Sequence, residues 1–104
     1  MNKQARNAIK HLLSRGYAFT VWDSIDGDAE IDVKNEIQLD VIMECLGSTE
    51  SNKLILKEFT KDGFRAVGKL IFVYEYGEDD VLHDYAAADD DVDYDIREAF
   101  ALIV

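Results

Sequence analysis

Residues 17–34 read YAFTVWDSIDGDAEIDVK. Tyr17, Phe19 and Val21 alternate with Ala18 and Thr20, and Ala29, Ile31 and Val33 alternate with Glu30, Asp32 and Lys34. A period of two puts successive side chains on opposite faces, as in a half-buried strand. Between the runs, Ser24–Asp28 (SIDGD) is composed of turn residues. Two alternating runs around a glycine-containing turn predict an antiparallel β-hairpin, its second strand carrying a carboxylate-rich face.

The pattern changes on either side of this hairpin. Upstream, Ala5, Ala8, Ile9, Leu12 and Leu13 form one apolar stripe at helical spacing, with Lys3, Arg6 and Lys10 off it and Gly16 as the stop. Downstream, Leu39, Ile42, Met43 and Leu46 predict a short helix over 38–46, followed by Gly47. Over Asn52–Phe59, Leu54 and Leu56 share one face and Ile55 takes the other. Asp62-Gly63 marks a turn. VGKLIFVYEY (67–76) is the most apolar stretch and is expected to be the central strand. VLHDYA (81–86) adds a further strand, and Val92–Val104 a final helix with Ile96, Phe100 and Ile103 at helical spacing. Asp89–Asp91 are expected to sit before that helix's N-terminus, where negative charge is favoured.

The order is α-β-β-α-β-β-(β)-α. It predicts an α+β fold in one domain spanning residues 1–104, with helices on one face of an antiparallel sheet of four or five strands. The length of 104 residues suits one domain, and 48% hydrophobic residues suffice for one core. No apolar run is long enough to cross a bilayer and no leader peptide is apparent. A single cysteine, Cys45, permits no internal disulfide, so a reducing, cytoplasmic location is expected, that of the host cell if the protein is phage-encoded.

The formal net charge is −11, which disfavours direct contact with nucleic acid or anionic membrane. The charge is uneven. Residues 1–20 hold Lys3, Arg6, Lys10 and Arg15 and no acid, whereas residues 74–104 hold eleven acids and one base. Basic residues of the first helix are expected to pair with the acidic end, within one chain or across a homodimer.

Catalytic patterns are weak. Asp89, Asp91, Asp93 and Asp95 alternate as at the start of a calcium loop, but Tyr94 and Phe100 stand where the glycine and bidentate glutamate belong. Asp26 or Asp28 with Asp32-Val33-Lys34 faintly matches an acid…(D/E)-x-K nuclease pattern, yet a nuclease must bind a polyanion. Cys45 reads as a structural thiol, and His11 and His83 are isolated in sequence. No catalytic residue, metal site or cofactor is expected, and the chain is read as a non-enzyme.

The acidic end is the remaining feature. Asp79, Asp80, Asp84, Asp89, Asp90, Asp91, Asp93 and Asp95 lie close together, with Tyr85 and Tyr94 among them. Such density costs folding energy through self-repulsion. One reading is a solvated surface. Another is a DNA mimic, in which carboxylates on a rigid fold are spaced like duplex phosphates, roughly one charge per 1.7 Å. Tyr85 and Tyr94 would be anchors, since tyrosine gives large contact area at low entropic cost.

Gly16-Tyr17, Val21, Asp23, Ser48-Thr49-Glu50, Gly68, Val73-Tyr74 and Val81–Tyr85 occupy the motif positions of a group of small phage-encoded acidic accessory proteins, and the chain resembles these over most of its length. It departs from them in having SIDGD for a direct D-G turn and a longer acidic end. The resemblance implies phage origin and a host partner, a basic or nucleic-acid-binding protein that the acidic surface would inhibit or modulate. A structural homodimer joining basic helix to acidic end is the alternative.

Overall fold

The computed structural model describes residues 3–74 and 81–101. Three helices, Lys3–Ser14 (α1), Leu39–Cys45 (α2) and Asp90–Ala99 (α3), alternate with five strands. The strands are Tyr17–Trp22 (β1), Ile31–Glu36 (β2), Ser51–Thr60 (β3), Gly63–Val73 (β4) and Leu82–Ala87 (β5). The single α+β sheet is antiparallel throughout, in the order β2-β1-β3-β4-β5. Order of elements, sheet type and the one-sided helical layer agree with the sequence reading.

Burial follows the two periodicities. Ala5, Ala8, Ile9 and Leu12 of α1 are fully buried, as are Phe19 and Val21 on β1, Leu54 and Leu56 on β3, and Leu70 and Phe72 on β4. Ile42 of α2 and Val92 and Ile96 of α3 close the same core. Each buried Val, Leu, Ile or Phe side chain among these contributes about 1.5–3 kcal/mol of transfer free energy. Gly16 ends α1 with φ +96°, a left-handed conformation that a side chain would strain. Gly68 has a different task. A Cβ there would lie 3.1 Å from the Ala86 carbonyl and 3.4 Å from Val92 Cγ1, so the bare glycine lets α3 rest on the sheet.

Several boundaries differ from expectation. VGKLIFVYEY is not the central strand: β4 lies next to the β5 edge, and β3 is central. The apolar run misled because Ile71 and Val73 face away from the helices and are only half-buried. β4 also starts earlier, at Gly63, and β2 starts later, at Ile31. α3 begins at Asp90, before Val92, so Asp90 and Asp91 lie inside its first turn and only Asp89 precedes it.

β2 is an edge, and it is irregular. Its pairing with β1 shifts register twice, and Asn35 has φ +52°. Asn35 stays in place because its N–H donates to Thr20 Oγ1 at 3.0 Å while its side chain accepts from that hydroxyl at 3.3 Å. Such bulges, with the strand's charges, protect an edge from pairing with another chain.

The helices pack in the order α2, α1, α3 across the sheet. α2 rests on β2 and β1, α3 on β5, and α1 contacts both other helices. The basic helix therefore runs between two acidic flanks. No helix among the described residues is long and apolar enough to cross a membrane.

Candidate functional site

α3 is the carboxylate-bearing element whose placement decides the acidic reading. Its start is built by Asp89, whose Oδ1 accepts the Val92 N–H at 2.9 Å. This N-cap satisfies one of the helix's unpaired donors, and Asp90, Asp91 and Asp93 in the first turn favour the positive end of the helix dipole. Because residues 90–99 are helical, the aspartates cannot wrap a cation as a calcium loop does.

The aspartates then divide by partner. Asp95 Oδ2 accepts the Tyr17 phenol at 2.6 Å, across the α3–β1 contact. Asp93 lies 3.9 Å from Arg97 on the next turn. Asp90 and Asp91 are exposed and have no hydrogen-bond or ion-pair partner among the described residues, and Tyr94, 53% exposed, stands one turn on from them. Of the two tyrosines, Tyr94 is free for contact. Tyr85 is half-buried against the core, and burial, then Asp93, hold its phenol above the usual range.

The acidic residues do not form one face. Asp84 pairs across the ladder with Ile71 and faces away from the helices, whereas Tyr85, opposite Leu70, faces inward. Asp84 is thus on the other side of the sheet from α3, its Oδ1 accepting the Tyr85 N–H. Asp79 and Asp80 lie outside the described residues. On the helical layer, α1 separates the acids of α3 from those of α2.

Arg6 and His11 of α1, and Arg15 just after it, are paired within the chain, whereas Lys3 and Lys10 have no ion pair among the described residues. Arg15 Nη2 reaches Glu98 Oε1 at 2.6 Å, His11 Nε2 reaches the same oxygen at 2.8 Å, and Arg6 lies 3.3 Å from Asp40 on α2. Hydrogen bonds from Arg15 first, then His11, hold the Glu98 carboxyl below its usual range. Each arginine has a carboxylate neighbour: Arg65 pairs with Glu58 and Arg97 with Asp93. Sequence reasoning paired the basic residues with the acidic end, and Glu98 of that end takes the contacts of Arg15 and His11, whereas Arg6 turns to Asp40 on α2. The helical offset of three between Asp95 and Glu98 was the available signal, since it puts both on the α1-facing side.

Cys45 donates to the Val41 carbonyl at 3.4 Å, and burial pushes its thiol up. His11 is engaged with Glu98, and His83 is exposed. Asp32 and Lys34 are on β2. Among the described residues, no group of three or more His, Cys, Asp or Glu is disposed to hold a metal ion.

A second surface was not anticipated. The sheet face away from the helices carries Lys53, Lys57 and Lys69 with Trp22, Ile55 and Ile71, since these residues are cross-strand partners on one side. Lys53 Nζ lies 4.5 Å from the Trp22 ring centroid. Near the β3–β4 turn, Phe59 and Phe64 meet edge-to-face at 5.3 Å on this same side. A shallow groove of about 360 Å³ is lined by Ile55, Ala66, Lys69 and Ala86 among others. Residues 51–73 hold five bases and two acids, in a chain with twice as many acids as bases. Alternation of Lys53, Ile55, Lys57 and Phe59 opposite Leu54 and Leu56 was the sequence signal.

Compared with known protein-family models, curated proteins and solved structures, the chain matches none.

Proposed function

We propose that this chain is a non-enzymatic accessory protein of the phage type. It would hold and inhibit a basic, nucleic-acid-handling host protein through the acidic edge of α3. The observation that carries this reading is the fixed carboxylate density of that helix. Asp89, Asp90, Asp91, Asp93 and Asp95 fall within six residue steps, about 9 Å of helix axis. That approaches one charge per roughly 1.7 Å, the density of duplex DNA. Asp89 and Asp95 are held by in-chain hydrogen bonds, which lowers the entropic cost of presenting them. Asp90, Asp91 and Tyr94 project freely and form the contact. Interruption of the acidic surface by α1 favours a short basic cleft over a long duplex channel.

The alternative, a homodimer joining the basic helix to the acidic end, has less support, because Arg15 and His11 already meet Glu98 within one chain. The test is retention of host protein on the immobilised chain, beside Asp90→Asn/Asp91→Asn and Asp84→Asn variants. The expected result is a nucleic-acid enzyme held by the wild type and by Asp84→Asn, lost by the double variant, and displaced by duplex DNA. Equal retention by all three, or none by any, overturns the reading.

A further inference from the structure

The two ends of the sheet are chemically opposite. Register places Trp22, Lys53 and Ile71 side by side near one end, and Tyr17, Glu58 and Arg65 near the other. Lys53 and Thr60 are seven steps apart on β3, about 24 Å. The β1–β2 turn therefore projects from one end and the β3–β4 turn from the other.

The first end is acidic and aliphatic. Residues 23–32 hold Asp23, Asp26, Asp28, Glu30 and Asp32 and no base. Ile25 and Ile31 are 46% and 44% exposed. The turn is pre-shaped: Asp23 and Glu30 exchange two hydrogen bonds of 2.9 Å, and the Ser24 hydroxyl accepts the Asp26 N–H at 3.2 Å. Burial, then Asp23 and Glu30, raise the Asp32 carboxyl, so this end is crowded with like charge that a cation would relieve.

The opposite end is basic and aromatic. Phe59 is 70% exposed beside Phe64, flanked by Lys57 and Lys61. Lys57, Lys61 and Lys69 have no carboxylate within ion-pairing distance among the described residues. The first end thus offers exposed isoleucines among acids alone, and the second an exposed aromatic pair among charges that are mostly basic, with Asp62 beside Lys61 and Glu58 taken by Arg65.

We infer that the chain associates head to tail. The isoleucine-bearing acidic turn of one copy seats against the Phe59–Phe64 pair of the next, with Lys57 and Lys61 facing its carboxylates. A second copy fits better than a nucleic acid, because it supplies aliphatic side chains for the rings as well as anions for the lysines. The contact is heterologous, so it leaves one free turn and one free aromatic end on every assembly that does not close into a ring. It does not involve α3, and it stands or falls separately from the proposed function.

Sedimentation velocity of the whole chain at about 0.1 M salt, where the Debye length is about 10 Å, tests this. One variant blocks the aromatic end (Lys57→Glu with Phe59→Ala) and another blocks the turn (Ile25→Ser with Asp26→Lys). All four positions are exposed or half-buried, and circular dichroism checks that both fold. The wild type is expected to associate with rising concentration, and each variant at least tenfold more weakly. Mixed one to one, the variants retain one intact turn and one intact aromatic end between them, and give a two-chain complex that grows no further. A wild type that stays monomeric up to millimolar concentration overturns the inference. So does association undiminished in either variant, or a mixture in which no two-chain complex forms.

Discussion

The Tyr17 phenol donates a 2.6 Å hydrogen bond to Asp95, joining the first strand to the last helix across 78 residues of sequence. Both groups are partly buried, so the bond is shielded and its loss leaves a carboxylate without its donor. Tyr17→Phe is expected to destabilise the fold by about 1 kcal/mol. Melting should fall by about 4–8 °C in a domain of this size. Burial, then Asp95, push the Tyr17 phenol above its ordinary value of 10.0. The neutral form is the one the fold prefers, so this stabilisation is complete below pH 10 and is lost as pH rises toward the folded-state value. Thermal melts across the alkaline range should show a shallower decline for Tyr17→Phe than for the wild type. Parallel declines would mean that the phenol does not titrate against folding.

Glu98 sets the opposite limit. Arg15 and then His11 hold its carboxyl below the ordinary 4.5, so its contribution is present above that pH and fades as pH falls through the lowered value. The pairs are half-exposed, and added salt screens them. Glu98→Gln should therefore lower stability at neutral pH and low salt, and much less in molar salt or in acid. Melting curves over a pH and salt grid check this. A Glu98→Gln deficit that persisted unchanged in acid would point to packing as its source.

Asn52 is fully buried and serves three partners. Its Nδ2 donates to the Trp22 carbonyl at 2.8 Å, and its Oδ1 accepts the Gly47 N–H at 3.1 Å and the Tyr74 hydroxyl at 2.8 Å. Asn52→Leu would strand all three in a dry site at about 1–3 kcal/mol for each group left without a partner. We expect a loss of about 3 kcal/mol or more by urea denaturation, larger than for most surface changes. Tyr74→Phe, which removes one partner, should cost about 1 kcal/mol. A near-neutral Asn52→Leu would show that water re-enters the site.

The aspartates of α3 should separate by role in a stability series. Asp89→Ala removes the cap and is expected to cost about 1 kcal/mol. Asp90→Asn and Asp91→Asn lose only a dipole interaction, about 0.3–1 kcal/mol each at low salt. If binding to a basic partner follows the reverse ranking, with Asp90 and Asp91 dominant, the structural and contact duties of the run are distinct. Chemical denaturation and retention on a basic partner, measured on the same proteins, give the two rankings.

The elements themselves were readable because burial imposes a period on each. Alternation at Tyr17–Val21 and the stripe Ala5–Leu12 each mark one buried face. Strand order was less accessible. Leu70-Ile71-Phe72-Val73 is apolar on both faces, although only one is covered, so hydrophobicity pointed to the wrong central strand. The aspartate run was conspicuous, but sequence could not divide Asp95, bound by Tyr17, from Asp90 and Asp91, which are unbound. Asn52 gave no sign of its three hydrogen bonds, because its partners lie at Trp22, Gly47 and Tyr74. The lysine-bearing face was hidden in the same alternation that revealed the core.

α1 and α3 pack side by side, although about 75 residues of sequence separate them, so α3 is synthesised well after α1. Ile9 and Leu12 emerge from the ribosome long before Ile96 and Phe100, which help to close the same core. The β3–β4 hairpin is local and can form while translation continues, but the helical layer over it waits for α3. During synthesis the nascent chain therefore presents an uncovered apolar stripe, which makes this interval the one most exposed to misassociation and to chaperone capture.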